Sequence, residues 1–291
     1  MTPARLDILN GDINSLRTTV YVRATLPADT DPQHIELRGT IDGPYSDYAQ
    51  TLPAKYELRD CGPGESLLAK ASIPDPCVWT PDTPVRYRLK FELCRAAHPI
   101  ETGTREFGLR DLATNQRSIL LAGKRTVIRG VGYERASFTE LLQWHETASA
   151  MLVTDPDETL CERAARTGVA IVARITAIDN LEDRVREIAA HPSIAVVWLG
   201  EDCTDRNWRQ LAPNVLFARP YPFAGDDASW ADVLVWEIAD GRPRQIPTDI
   251  VKPILALRPL QQRTPLPAAR AACDTLQRDL APQFNLAGYL V

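Results

Sequence analysis

The run Ile119-Leu-Leu-Ala-Gly-Lys-Arg-Thr-Val-Ile-Arg-Gly-Val-Gly-Tyr-Glu134 divides the chain into two halves with different patterns. Ile119 to Leu121 and Thr126 to Val131 are apolar and β-rich, and Gly123-Lys124 between them predicts a tight hairpin turn. Before the run come short strands separated by turn formers. After it, strands alternate with helical patterns. A switch of that kind marks the junction of an all-β unit and an α/β unit, and predicts domains at 1–118 and 119–291.

Upstream, seven strands are predicted, at Arg5–Leu9, Leu16–Leu26, His34–Ile41, Ala54–Arg59, Ser66–Ile73, Arg86–Leu93 and Thr104–Leu109. In the sixth, Tyr87, Leu89, Phe91 and Leu93 fall on one face. Asn10-Gly11-Asp12, Asp42-Gly43-Pro44 and Cys61-Gly62-Pro63-Gly64 supply turns. Short strands at this spacing predict an immunoglobulin-like β-sandwich. Pro81 and Pro84 keep Cys77 to Tyr87 extended and deny it ladder donors, which leaves Trp79 to plug one end of the sandwich.

Downstream, eight strands are predicted, at Thr126–Val131, Ala150–Thr154, Val169–Ile175, Ile194–Gly200, Val215–Arg219, Val233–Ile238, Pro253–Leu257 and Leu286–Val291. Several are continuous apolar runs, the mark of strands covered on both faces. Helices are predicted at Phe138–Ala148, Asp157–Thr167, Leu181–Ala190 and Ala268–Leu280. Asp155-Pro156-Asp157 reads as a helix start and Gly168 as a stop. The alternation predicts a small TIM-like (β/α)8 barrel that lacks its last helix. The missing helix predicts bare apolar surface, to be covered by the sandwich or by a second copy, so homo-oligomerisation stays open.

The chain has 291 residues, 44% hydrophobic, with a net charge of −5. It shows no basic cluster of the kind that nucleic acid or an anionic membrane surface requires. The first residues have no apolar signal core and no stretch is long enough to span a bilayer, so a cytoplasmic location is expected. The six cysteines and four histidines show no metal-ligand spacing, and no cofactor motif is present. The cysteines are expected to be buried, reduced thiols, with a disulfide from Cys77 to Cys94 or Cys61 as the alternative.

Several short motifs fall in one order. Trp79-Thr-Pro-Asp-Thr-Pro-Val-Arg-Tyr87 is followed by Phe107-Gly-Leu-Arg110, Leu121-Ala-Gly-Lys124 and Arg129-Gly-Val131. His191-Pro-Ser-Ile194, Trp198-Leu-Gly200 and Lys252-Pro-Ile-Leu255 come next. In that order they resemble glycoside hydrolase family 2, the family of β-galactosidases and β-glucuronidases. The resemblance implies an immunoglobulin-like domain before a barrel with an acid/base Glu after the fourth strand and a nucleophile Glu after the seventh.

This chain departs from that pattern where the chemistry sits. The fourth-strand segment reads Trp198-Leu-Gly-Glu-Asp202, so Asp202 or Glu201 takes the acid/base position. The seventh reads Lys252-Pro-Ile-Leu-Ala-Leu-Arg258, so Arg258 takes the nucleophile position. The family's Arg and His after strand two and its carboxylate on strand three are absent. Read without the family, the candidate catalytic carboxylates are Glu201, Asp202 and Glu237, all at strand ends. Arg174, Arg219 and Arg258 are available to pair with them, and Arg258 is expected beside the fourth-strand acids. Trp144, Trp198, Trp208, Trp230, Trp236 and Tyr221 could form a sugar platform or fill core and rim. Trp198, Trp236 and Arg258 are the candidate substrate contacts.

Three functions remain open: a catalytically silent relative that binds carbohydrate at the barrel mouth, a divergent active glycosidase, and a scaffold or assembly subunit.

Overall fold

The structure is a computed structural model. It describes all residues except 1–3, 28–29, 31–33, 63, 65, 133–137, 177–178, 201–202, 204–207, 222–229, 239–249 and 261–263. The chain forms two compact units. One comprises Met1–Trp79 with Thr83–Asp111, the other Thr80–Asp82 with Leu112–Val291.

The first unit is the sandwich. Its strands are β1 (Arg5–Asn10), β2 (Arg17–Thr25), β3 (Ile35–Tyr45), β4 (Ala54–Asp60), β5 (Leu67–Pro74), β6 (Arg86–Arg95) and β7 (His98–Phe107). They run in the order β1-β2-β5-β4-β3-β6-β7, with every pairing antiparallel. β4 is the fold line. It pairs with β3 along Ala54–Leu58 but with β5 only at Arg59 and Asp60, so the two faces separate there. The expected alternation holds: Tyr87, Leu89, Phe91 and Leu93 are all at most 3% exposed. They pack with Val20, Val22, Leu37, Ile41 and Ile73 in one core. Trp79 is buried, and its backbone N–H donates to the Leu109 carbonyl at 2.7 Å. The buried Arg86 is held by Glu106 at 2.8 Å and Asp47 at 3.0 Å, which meets the demand that a buried charge be paired.

The second unit opens with a three-stranded antiparallel sheet, β8 (Leu112–Asn115), β9 (Ser118–Leu121) and β10 (Lys124–Thr126). Leu121 pairs with Lys124, so the turn is Ala122-Gly123, one residue earlier than expected. Both central residues have positive φ, 51° and 70°, the type I′ geometry that matches strand twist. Ile119 is 1% exposed and joins the barrel's interior cluster, which ties this sheet to the second unit rather than to the sandwich.

The barrel strands are β11 (Ile128–Gly132), β12 (Ala150–Thr154), β13 (Ile171–Ile175), β14 (Ile194–Leu199), β15 (Leu216–Tyr221), β16 (Val233–Glu237), β17 (Ile254–Leu257) and β18 (Gly288–Leu290). All are parallel, and Ile128 opposite Gly288 closes the ring. The helices among the described residues are α1 (Phe138–Glu146), α2 (Glu158–Thr167), α3 (Leu181–Ala189), α4 (Trp208–Leu211) and α5 (Leu266–Leu280).

Alternate residues separate into two layers. Val172, Val196, Trp198, Val233, Val235, Leu255 and Leu257 fill the interior. Ile171, Ala173, Val197, Leu199, Leu234, Trp236, Ile254 and Ala256 pack in the outer layer with the helices.

Local signals account for the helix ends. The Asp157 side chain caps α2 by accepting the Leu160 N–H at 2.7 Å, and Gly168 ends it at φ 74°. A Cβ at Gly168 would meet the Pro81 carbonyl oxygen at 2.2 Å, so a close approach as well as the backbone angle demands glycine. α5 lies against β11 and β18 and buries Ala269, Cys273, Leu276 and Leu280. The seam expected to be bare is therefore covered by α5. All six cysteines are free. Cys61 and Cys77 are exposed, contrary to the expectation of burial, because they sit at strand-end turns rather than on inward strand positions. Among the described residues, no helix is long and apolar enough to cross a membrane.

Candidate functional site at the barrel mouth

In barrels of this kind the functional end is the C-terminal end of the strands. Strand parity decides which side chains reach it from inside. Thr154, Arg174, Trp198 and Glu237 continue the inward series of β12, β13, β14 and β16.

Arg174 and Trp198 are register partners on neighbouring strands. The guanidinium lies 4.7 Å from the centre of the Trp198 ring, and the indole beneath is 3% exposed. Arg174 is exposed and makes no side-chain hydrogen bond or ion pair among the described residues. The ends of β12 and β13 are clipped together beside it. Asp155, at φ 46°, donates its N–H to the Arg174 carbonyl at 2.9 Å. Its carboxylate accepts the Thr176 N–H at 3.0 Å and the Thr176 hydroxyl. That carboxylate is thus occupied by Thr176.

Glu237 ends β16, exposed, with no ion pair among the described residues. Glu201 and Asp202 lie outside the described residues. Asp232 is buried just before β16. It accepts the Phe217 N–H at 2.9 Å and pairs with Arg209, so it is a structural carboxylate.

The other candidates sit elsewhere. Trp236 has the outward parity of β16, is 7% exposed and packs edge-on against Phe284, with ring centres 5.5 Å apart. It serves the outer layer and offers no face to the mouth. Arg258 follows the inward Leu257 on the outward side of β17. Its N–H donates to Leu290, and its guanidinium lies 3.9 Å from Asp279 of α5. The fourth-strand acids expected beside Arg258 lie outside the described residues. Trp144 and Trp208 are at most 2% exposed in the outer layer. Arg219 is 3% exposed, faces the same layer and lies over Trp230. The sequence marks Arg174 only as a partner for acids; its place over the Trp198 ring has no signal there.

Residues 10–110 match the model of glycosyl hydrolases family 2. The chain resembles glycoside hydrolase family 2. No curated protein matches it. Among solved structures, β-glucuronidase from Bifidobacterium dentium, complexed with coumarin-3-O-glucuronide, is 13% identical with a TM-score of 0.66. That match covers 98% of this chain and 59% of the other. A β-glycosidase from Bacteroides vulgatus gives 14% identity and a TM-score of 0.61, covering 87% of this chain and 37% of that one. β-Glucuronidase from Bacteroides uniformis gives 18% and 0.56, covering 80% and 36%. These likenesses show the fold, an immunoglobulin-like sandwich followed by a TIM-like barrel. The chain spans less than two thirds of the length of each.

Proposed function

We propose that this chain is a family 2-like protein without the family's retaining glycosidase activity, and that its barrel mouth binds carbohydrate. The observation that carries this is the end of β17. Its last inward residue is Leu257, 4% exposed, and the next, Arg258, is paired to Asp279. Retaining hydrolysis needs an ionised carboxylate to attack the anomeric carbon and a second, protonated carboxyl ~5–5.5 Å away to assist departure. A leucine side chain cannot attack. A guanidinium has no lone pair to offer and stays charged, so it would oppose an oxocarbenium-like transition state.

A second reading, a divergent hydrolase using Glu237 with Asp202 or Glu201, draws on Glu237 being exposed and making no ion pair among the described residues. One panel of fluorogenic β-glycosides separates the two. The expected result is no turnover above buffer by wild type, with a saturable sugar-induced change in tryptophan emission. Turnover that disappears in Glu237→Gln or Asp202→Asn would establish the hydrolase instead.

A further inference from the structure

We infer that the barrel unit carries a second small-molecule site, apart from the mouth, that takes a small aryl carboxylate. The site lies towards the N-terminal ends of the strands and stands independently of the sugar reading.

A cavity of about 340 Å³ opens where the C-terminal end of α5 meets β10, the start of β11 and β18. All of its lining residues are described. Tyr289 lines it, 2% exposed, with its backbone carbonyl accepting from the Cys273 Sγ at 3.0 Å. Burial pushes the phenol's pKa up against the pull of Arg129 and Arg125, so the hydroxyl stays neutral and can donate. Among the described residues that hydroxyl takes no hydrogen bond. A phenol buried this far calls for a partner, and the cavity is where one can enter.

The rest of the polar lining is rich in donors. Arg125 donates to the Asn285 Oδ1 at 2.7 Å. Arg129, the register partner of Tyr289, donates to the Gln277 Oε1 at 2.9 Å. Each amide therefore has its oxygen engaged and its N–H2 group left over, and no described residue accepts from either group. Arg125 is exposed and makes no ion pair among the described residues, and no Asp or Glu lines the cavity. At the end of α5, the Gln277 carbonyl accepts the Ala281 N–H, and the Leu280 carbonyl accepts those of Gln283 and Phe284, so these acceptors are already taken. Donors converging without a facing acid match the oxygens of a carboxylate. The remaining wall is apolar: Val127, Pro282, Phe284 and Leu286. Phe284 is itself held edge-on by Trp236. That wall suits an aromatic ring, and the volume is at the low end of the about 300–1,000 Å³ usual for ligand sites, which keeps the ligand small.

The test is a ligand-observed NMR titration with benzoate, its neutral isostere benzamide, and acetate, which has the carboxylate without the ring. It compares wild type, Arg125→Gln and Tyr289→Phe, each checked for native circular dichroism. Wild type should bind benzoate about tenfold or more tightly than either other probe. Arg125→Gln should abolish the preference over benzamide. Tyr289→Phe, which keeps the ring and removes the donor, should weaken benzoate about fivefold. Absence of benzoate binding to wild type, equal affinity for benzamide or for acetate, or benzoate affinity unchanged in either variant overturns the site.

Discussion

Cys161 and Cys273 lie in the barrel's outer layer, and burial pushes their thiols up to about 12 and about 11. The thiolate is the reactive form, so both are chemically silent near neutral pH. Cys94, in the sandwich, is shielded by burial alone. A thiol-labelling time course on native protein, read by peptide mass, should find rapid modification at the exposed Cys61 and Cys77. Cys94, Cys161 and Cys273 should label only after unfolding. Fast labelling of Cys161 in native protein would contradict the packing of α2. Residue roles at the mouth were the least legible part of the sequence, for a related reason. In a strand such as Val233–Glu237, apolar side chains line both faces, so the pattern itself does not say which face is inside. The position of Glu237 at a strand end was readable. The outward facing of Trp236 and Arg258 required the strand register.

At the scale of elements, most of the fold was legible, because each signal is local and cheap to satisfy. Asp157 and Gly168 marked the start and stop of α2 through a side-chain acceptor and a left-handed backbone. The hairpin between β9 and β10 was placed one residue late, because the sequence signal, Gly123, takes the second left-handed position and Ala122 takes the first. An alanine at φ 51° is disfavoured, and asparagine tolerates that angle better. Ala122→Asn should therefore raise stability by about 0.5–1 kcal/mol in urea titration. A loss of stability would mean that the turn is not type I′ in solution.

Across the whole molecule, the sandwich core and the barrel layers are separate clusters. Independent cores favour independent unfolding. Tryptophan emission reports mainly the second unit, which holds Trp144, Trp198, Trp208, Trp230 and Trp236, while Trp79 lies in the first. Far-UV dichroism reports both units. Urea midpoints from the two probes should differ, and coincident curves would show a single cooperative unit.

The three residues Thr80–Asp82 belong with the barrel although the chain has yet to complete the sandwich. Their landing point, Gly168, is synthesised long after them. On the ribosome, then, the sandwich can assemble as soon as Asp111 has emerged, while Pro81 waits for α2 to be translated. The order of synthesis makes this short segment a late stitch, set only when the barrel's second helix has formed.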